Sequence, residues 1–175
     1  ELGSTDRPVE LLMEGVDCVI RGGLLHDESL VARKLTELPV ATCAAPAYLE
    51  RHGVPSSASE LDGHRFVNFF SAKTGRTFEN EFERDGESVS LLGESSVACN
   101  DADTFLAATL AGLGLAQLPL SVNVRAMLEA GALRAVLPDW KVPPLPIYAM
   151  WPRRRDRSAR LHAFVEWVAA LYARR

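Results

Sequence analysis

Ser4 and Thr5 stand between an extended start and a helical pattern, where hydroxyls and unpaired helix N–H groups can hold a carboxylate. The competing role for Thr5 is to cap that helix. Arg21 closes an apolar run and precedes Gly22 and Gly23, so its guanidinium can reach an acidic ligand or an acidic neighbour. Asn100 and Asp101 follow the apolar run of residues 97–99 and precede a second helical pattern. A polar turn at the carboxyl end of a strand is where open α/β sheets bind ligands, which makes the pair a candidate binding rim. Asn100 as a plain helix cap is the alternative. Asp101 and Asp103 already place negative charge over the helix start. A bound anion there would meet about 4 kcal/mol of repulsion per pair at about 4 Å and an effective dielectric near 20. A carboxylate ligand is therefore expected at Ser4, Thr5 or Arg21.

Other constellations carry less chemistry. Asp101 and Asp103 lie two apart and point to different helix faces, so they are poor joint metal ligands. Gly112 and Gly114 follow a helix and precede a strand, the reverse of a dinucleotide-binding order. His26, His52, His64 and His162 are scattered without ligand spacing and are expected mostly at the surface. No G-x-S-x-G or Cys/His nucleophile arrangement is present, so no catalytic residue, metal or cofactor is expected. Arg153, Arg154, Arg155 and Arg157 read as a solvated loop rather than a nucleic-acid patch.

The elements that position these residues follow from periodicity. Residues 1–4 read as the end of a strand, and Thr5 or Asp6 opens a helix over 6–14 with Pro8 in its first turn. Gly15 ends it, and residues 17–21 form a strand, an order that implies a right-handed parallel crossover. Residues 30–45 make a long extended segment that can leave one sheet and enter another. Pro46 opens a short helix that Gly53 ends. Residues 65–70 form a strand, and 78–83 and 88–92 flank Asp85-Gly86, a strong hairpin signal. Asn100 caps a helix over 101–112, whose face carries Phe105, Leu106, Thr109, Leu110 and Leu113. Residues 115–118 are a short covered strand, followed by a helix bearing Leu120, Val124, Met127 and Leu128. A strand over 133–137, a stiff proline-rich return over 143–146 and a strand over 147–151 come next. Ser158 caps the last helix, with Leu161, Phe164, Val165, Val168, Leu171 and Tyr172 along one stripe. Strands alternating with helices make this an α/β protein, with a second lobe inserted into the first.

Composition bounds the possibilities. The 175 residues are 47% hydrophobic and 24% charged. Such a chain can bury roughly 70% of its unfolded surface. A net charge of −4 argues against a DNA- or RNA-binding surface on this chain. Cys18, Cys43 and Cys99 are odd in number, far apart and set in apolar runs, the pattern of buried reduced thiols in a cytoplasmic protein. No apolar run reaches membrane-spanning length, and no membrane partner is expected. The chain opens inside a structured stretch, so it is expected to belong to a longer polypeptide.

The ordered motifs STDRPVELLMEGVDCVIRGG, ESLVARKL and CAAPAYLERHGVPSSASELDGHRFVNF carry a resemblance. They continue through NDADTFLAATLAGLGLAQLP, LEAGALRAVLPDW and YAMWPRRRDRSARLHAFVEWV. Together they resemble the effector-binding domain of LysR-type transcriptional regulators over nearly the whole chain. The resemblance implies a type 2 periplasmic-binding-protein-like fold, with two α/β lobes joined by crossover strands and an effector in the cleft between them. Residues 1–44 and 147–175 would form the first lobe, incomplete at its start, and 45–146 the second. The cleft would be lined by Ser4, Thr5, Arg21, Gly22, Phe70, Ser71, Ala72, Asn100, Asp101 and Tyr148. The implied ligand is a small-molecule effector, an organic acid being one candidate. The family pairing implies a homodimer through the first-lobe helix 6–14 and the second-lobe helix 101–112.

Two departures stand out. The winged helix-turn-helix of the family lies outside this sequence, so DNA contact is expected only through that further domain. The first strand and helix of the effector domain are also missing from the pattern. Two other classes compete: a solute-binding protein of a transport system, which would need a secretion signal, and an enzyme on the same lobes, which would need a catalytic group in the cleft.

Overall fold

In a computed structural model of the chain, the described residues are 1–6, 9, 11, 13–23 and 29–173. The chain divides into two compact units. Unit 1 comprises Glu1–Pro8 and Pro39–Pro143, and unit 2 comprises Val9–Leu38 and Pro144–Arg175. The junctions thus lie at 38/39 and 143/144, and residues 1–8 group with 39–143 rather than with 9–38.

In unit 2, β1 (Val19–Gly22) pairs antiparallel with β9 (Val142–Pro152), which lies between β1 and β2 (Leu30–Ala44). The expected parallel crossover out of residues 1–4 is not formed. Residues 1–6 are exposed non-strand backbone, and their one large apolar side chain, Leu2, is 91% exposed, so nothing there drives sheet burial. Of the expected helix over 6–14, Arg7, Pro8, Glu10 and Leu12 lie outside the described residues, while 13–15 are turn. The last helix, α4 (Ala159–Ala173), starts where expected, with the Ser158 hydroxyl accepting from Leu161 N–H at 3.3 Å. Its Leu161 and Val165 pack with Ala149 and Trp151, and Cys18, Ile20, Val31 and Leu35 lie half-buried against them. Phe164 and Leu171, expected on the packed stripe, are exposed instead.

In unit 1, the last part of β2 pairs antiparallel with β7 (Ala116–Pro119) and with the two-residue β8 (Arg134–Ala135). The strand expected over 133–137 stops at Ala135 because Leu137 takes φ 54°, which turns the chain towards Trp140. β3 (Arg65–Phe69) runs parallel to β6 (Glu94–Cys99), and bonds of 2.8 Å tie Val67 N–H to Leu115 O and Leu115 N–H to Arg65 O. The β6, α2 (Ala102–Leu110), β7 succession is a strand–helix–strand passage of the kind that needs its strands covered. Gly114 is required by that approach, because a Cβ there would lie 2.6 Å from Arg65 O.

The rest of unit 1 follows the sequence signals closely. α1 (Pro46–His52) opens on proline and ends at Gly53 with φ 84°. The β4 (Asn80–Arg84) and β5 (Glu87–Leu91) hairpin turns through Asp85 and Gly86, both at positive φ as a type I′ turn requires. α3 (Val122–Glu129) is capped by Ser121 and buries Val124. One buried cluster gathers Tyr48, Leu61, Phe66, Phe82 and Leu115, and a second gathers Cys43, Val67, Phe105, Leu118 and Leu133.

Candidate functional site

The candidate residues fall into two groups, one in each unit. In unit 2, Arg21 and Tyr148 are direct antiparallel partners in the β1–β9 ladder, so their side chains leave the same face. The alternation that puts Ile20 and Ala149 towards α4 puts Arg21 and Tyr148 on the other face. Arg21 Nε donates to Gly22 O at 3.5 Å, and among the described residues no carboxylate pairs with Arg21. Gly22 admits Leu145 against its backbone, where a Cβ would meet Leu145 Cδ2 at 2.9 Å. Lys34 adds a second cation close enough to feel Tyr148. Its own partner is Glu37, and that hydrogen bond raises the Lys34 pKa.

In unit 1, Phe70, Ser71, Asn100 and Asp101 come together because Phe70 N–H donates to Cys99 O at 2.8 Å, at the shared end of the parallel β3–β6 pair. The loop after Phe70 closes on itself, with Ser71 N–H bonded to Arg76 O and Gly75 N–H to Ser71 O. Beside it Phe69 stacks on Phe78 at 6.3 Å and meets Phe105 edge-on at 5.4 Å. Ala72 is exposed on that loop.

The cap of α2 is Asp101, not Asn100. Asp101 Oδ1 accepts from Thr104 N–H at 2.8 Å, a charge-assisted bond to the third helical residue that an amide one position earlier does not make. The bond to Thr104 holds the Asp101 carboxyl below its ordinary pKa. Asp6, expected to cap its own helix, serves α2 instead: its Oδ2 accepts from Ala102 N–H at 2.7 Å. Two carboxylates therefore already occupy the donors at this helix start. Leu113, expected on the packed face of α2, lies past its end and is exposed.

Of the histidines expected at the surface, His64 is buried. Its Nδ1 lies 3.1 Å from the Tyr48 hydroxyl, which also accepts from Arg65 N–H at 2.9 Å. Burial pushes the His64 pKa down. A buried polar pair, Asn68 and Asn80, is joined at 3.2 Å and held to the Leu92 carbonyl. Neither pair shows in sequence, where each residue sits in a locally ordinary strand or turn.

The chain thus consists of an α/β unit with parallel strands and a three-stranded unit with a terminal helix, connected through β2 and β9. The chain belongs to the LysR substrate binding domain family, which it matches over residues 1–173. It is 36% identical over 171 residues to the HTH-type transcriptional regulator YhjC of Escherichia coli, covering 98% of this chain and 57% of that one. The full-length structure of the Vibrio cholerae virulence activator AphB matches with a TM-score of 0.73 and 28% identity, over 88% of this chain and 51% of that one. The effector domain of the Pseudomonas aeruginosa regulator AmpR shares the fold at a TM-score of 0.73 and 18% identity, covering 99% of this chain and 80% of that one. The chain thus spans a little over half the length of the curated relative and of the full-length regulator. A transport role is not favoured by this kinship, and a regulatory effector-binding role is.

Proposed function

We propose that this chain senses a small anionic effector for a bacterial LysR-type regulator, and that the regulator contacts DNA through a domain outside these residues. The observation that carries the ligand class is the Arg21–Tyr148 pair, a guanidinium and a phenol side by side with no carboxylate partner among the described residues. A carboxylate accepts two parallel N–H bonds from such a guanidinium, and a phenol can add a third. The donors at the start of α2 are already taken by Asp6 and Asp101, so an anion is better served by Arg21. Within unit 2, Gly22 remains a candidate contact beside Arg21; Ser4, Thr5, Phe70, Ser71, Ala72 and Asn100 form a separate group of candidates in unit 1, with Phe69 and Phe78 offering apolar surface beside Phe70. The chain is read as non-enzymatic and cytoplasmic, on the strength of its relatives being transcriptional regulators. Among the described residues no helix is long and apolar enough to cross a membrane. A homodimer through 6–14 and 101–112 fits the half-buried Leu106 and Leu110 and the exposed Leu113. Sedimentation at micromolar concentration tests the dimer, and a monomer throughout would refute it.

The ligand test is a thermal-shift panel of aliphatic and aromatic carboxylates with the matching amides as controls. A ligand at 100 times its Kd stabilises the fold by about 2.7 kcal/mol. We expect carboxylates alone to raise the melting temperature, and Arg21→Ala to abolish that rise while Arg154→Ala keeps it. An acid that binds Arg21→Ala as tightly as the parent would refute the assignment.

A further inference from the structure

The β4–β5 hairpin is closed along one edge and open along the other. Its register sets Arg84 opposite Glu87, Phe82 opposite Val89 and Asn80 opposite Leu91. With the two-residue turn at Asp85-Gly86, these are the pairs that exchange backbone hydrogen bonds. The backbone groups of Glu81, Glu83, Ser88 and Ser90 therefore point out of the ladder. On the β4 side both outward positions are filled. Glu83 N–H donates to Lys141 O and Lys141 N–H donates to Glu83 O, each at 2.8 Å. The Gln117 side chain serves the other, accepting from Glu81 N–H at 3.2 Å and donating to Glu81 O at 2.7 Å. On the β5 side, nothing among the described residues meets the backbone N–H and C=O of Ser88 or Ser90. That edge also lacks the proline, lysine or bulge that commonly blunts an open strand.

The two faces beside this edge differ. Phe82 is buried in a core cluster, with Val89 and Leu91 half-buried against it. The other face carries Glu81, Glu83, Ser88 and Ser90, all exposed, and the Ser90 hydroxyl donates to Glu79. At the hairpin tip, Asp85, Glu87 and Asp139 line a recess of about 340 Å³ together with Glu83. Arg84 and Lys141 are the cations there, and Arg84 lies over the Trp140 ring at 4.5 Å. Among the described residues no ion pair engages any of these carboxylates.

We propose that the outer edge of β5 takes an extended, lysine- or arginine-bearing segment of a partner protein as a further antiparallel strand. The backbone groups of Ser88 and Ser90 pair with it, and its alternate side chains stand beside the two serines. A serine is short, so a long cationic side chain passes over it towards Glu81 and Glu83. Those residues lie two strand spacings, about 10 Å, from the added backbone, and the carboxylates reach part of the way back. Edge and charge thus select the same partner: main-chain pairing supplies the attachment, and the acidic row one strand further in selects the cations. A second copy fits poorly, because pairing β5 with β5 would set two acidic faces side by side.

Fluorescence anisotropy tests this with a fluorescein-labelled peptide of about eight residues that alternates lysine and threonine. In the proposed pairing the lysines lie opposite the serines, so their N–H groups face β5 and those of the threonines face away. We expect saturable binding at physiological salt. Methylating the lysine backbone nitrogens should weaken it about tenfold or more, and methylating the threonine ones should leave it nearly unchanged. Glu81→Lys with Glu83→Lys should abolish binding of the parent peptide, with the melting temperature of the domain within a few degrees of the parent. Ser88→Pro, which removes one outward N–H, should weaken binding as lysine methylation does. Absence of binding at millimolar peptide would overturn the proposal. Equal affinity of the two methylated peptides would overturn it as well, because the attraction would then be charge alone. A dimer in sedimentation that Ser88→Pro dissociates would also overturn it, by making a second copy the occupant.

Discussion

Asp101 gives this chain a defined acid sensitivity. Its folded pKa lies below the unfolded value of about 3.9, chiefly through the Thr104 N–H bond. A group depressed in this way contributes stability that is present above the unfolded pKa and lost as pH falls through the folded one. Glu166 beside Arg33 and Glu60 beside Ser56 shift in the same direction and add to the effect. Asp101→Asn keeps an acceptor at the cap and removes its titration. Urea unfolding followed from about pH 5 to about pH 2 should therefore give a flatter profile for the variant, with the gap to the parent closing in acid. A gap that stays constant across that range would refute the assignment. At this scale the polar turn at residues 100–101 was legible, because a polar pair after an apolar run marks a strand end. The identity of the cap was not, since Asn and Asp are nearly equivalent as caps and the choice depends on where the first turn starts. The bond from Asp6 to Ala102 spans 96 positions and leaves no local trace.

Between α2 and β7 the backbone comes so close to β3 that only glycine fits. Gly114→Ala would set a Cβ 2.6 Å from Arg65 O, so the strand contact must open. The expected loss is about 1 to 3 kcal/mol in chemical denaturation. Gly63→Ala, with nothing within 4 Å of its Cβ, serves as the control and should stay within about 0.5 kcal/mol of the parent. Equal effects of the two substitutions would show that the close approach costs nothing. Elements with their own punctuation were readable in advance: proline and glycine bracket α1, and Asp85-Gly86 sets the β4–β5 hairpin. Those whose form depends on a distant partner were not. Residues 143–146 read as a stiff connection, yet they belong to β9, because prolines still offer carbonyls and Pro146 O accepts from Gly23 N–H at 2.9 Å. The packed face of α4 was legible in part. A stripe of apolar residues does not say which of its members meet the sheet and which stay exposed.

For the whole molecule, the three thiols set its response to oxidants. Cys43 is fully buried and burial pushes its pKa up to about 12, while Cys18, half-buried, is raised to about 11, chiefly by desolvation. Cys99 is buried and shifted the same way. The nucleophile is the thiolate, so a disulfide reagent at pH 7 to 8 should modify the native chain slowly and the urea-unfolded chain at all three positions. Rapid native labelling of Cys43, read by mass spectrometry, would contradict this picture. Connection between the units has a different consequence. β2 is one strand of 15 residues that passes from unit 2 into unit 1 at Leu38–Pro39 without a loop. Side chains alternate along it, with Arg33 turned to α4 at one end and Cys43 buried at the other. Inserting or deleting a single codon between those two residues would turn one end inside out, whereas a two-codon change would preserve the alternation. Length variation among descendants of this gene should therefore gather in the turns at 71–76 and 85–86 and spare this strand, whatever happens to its individual letters.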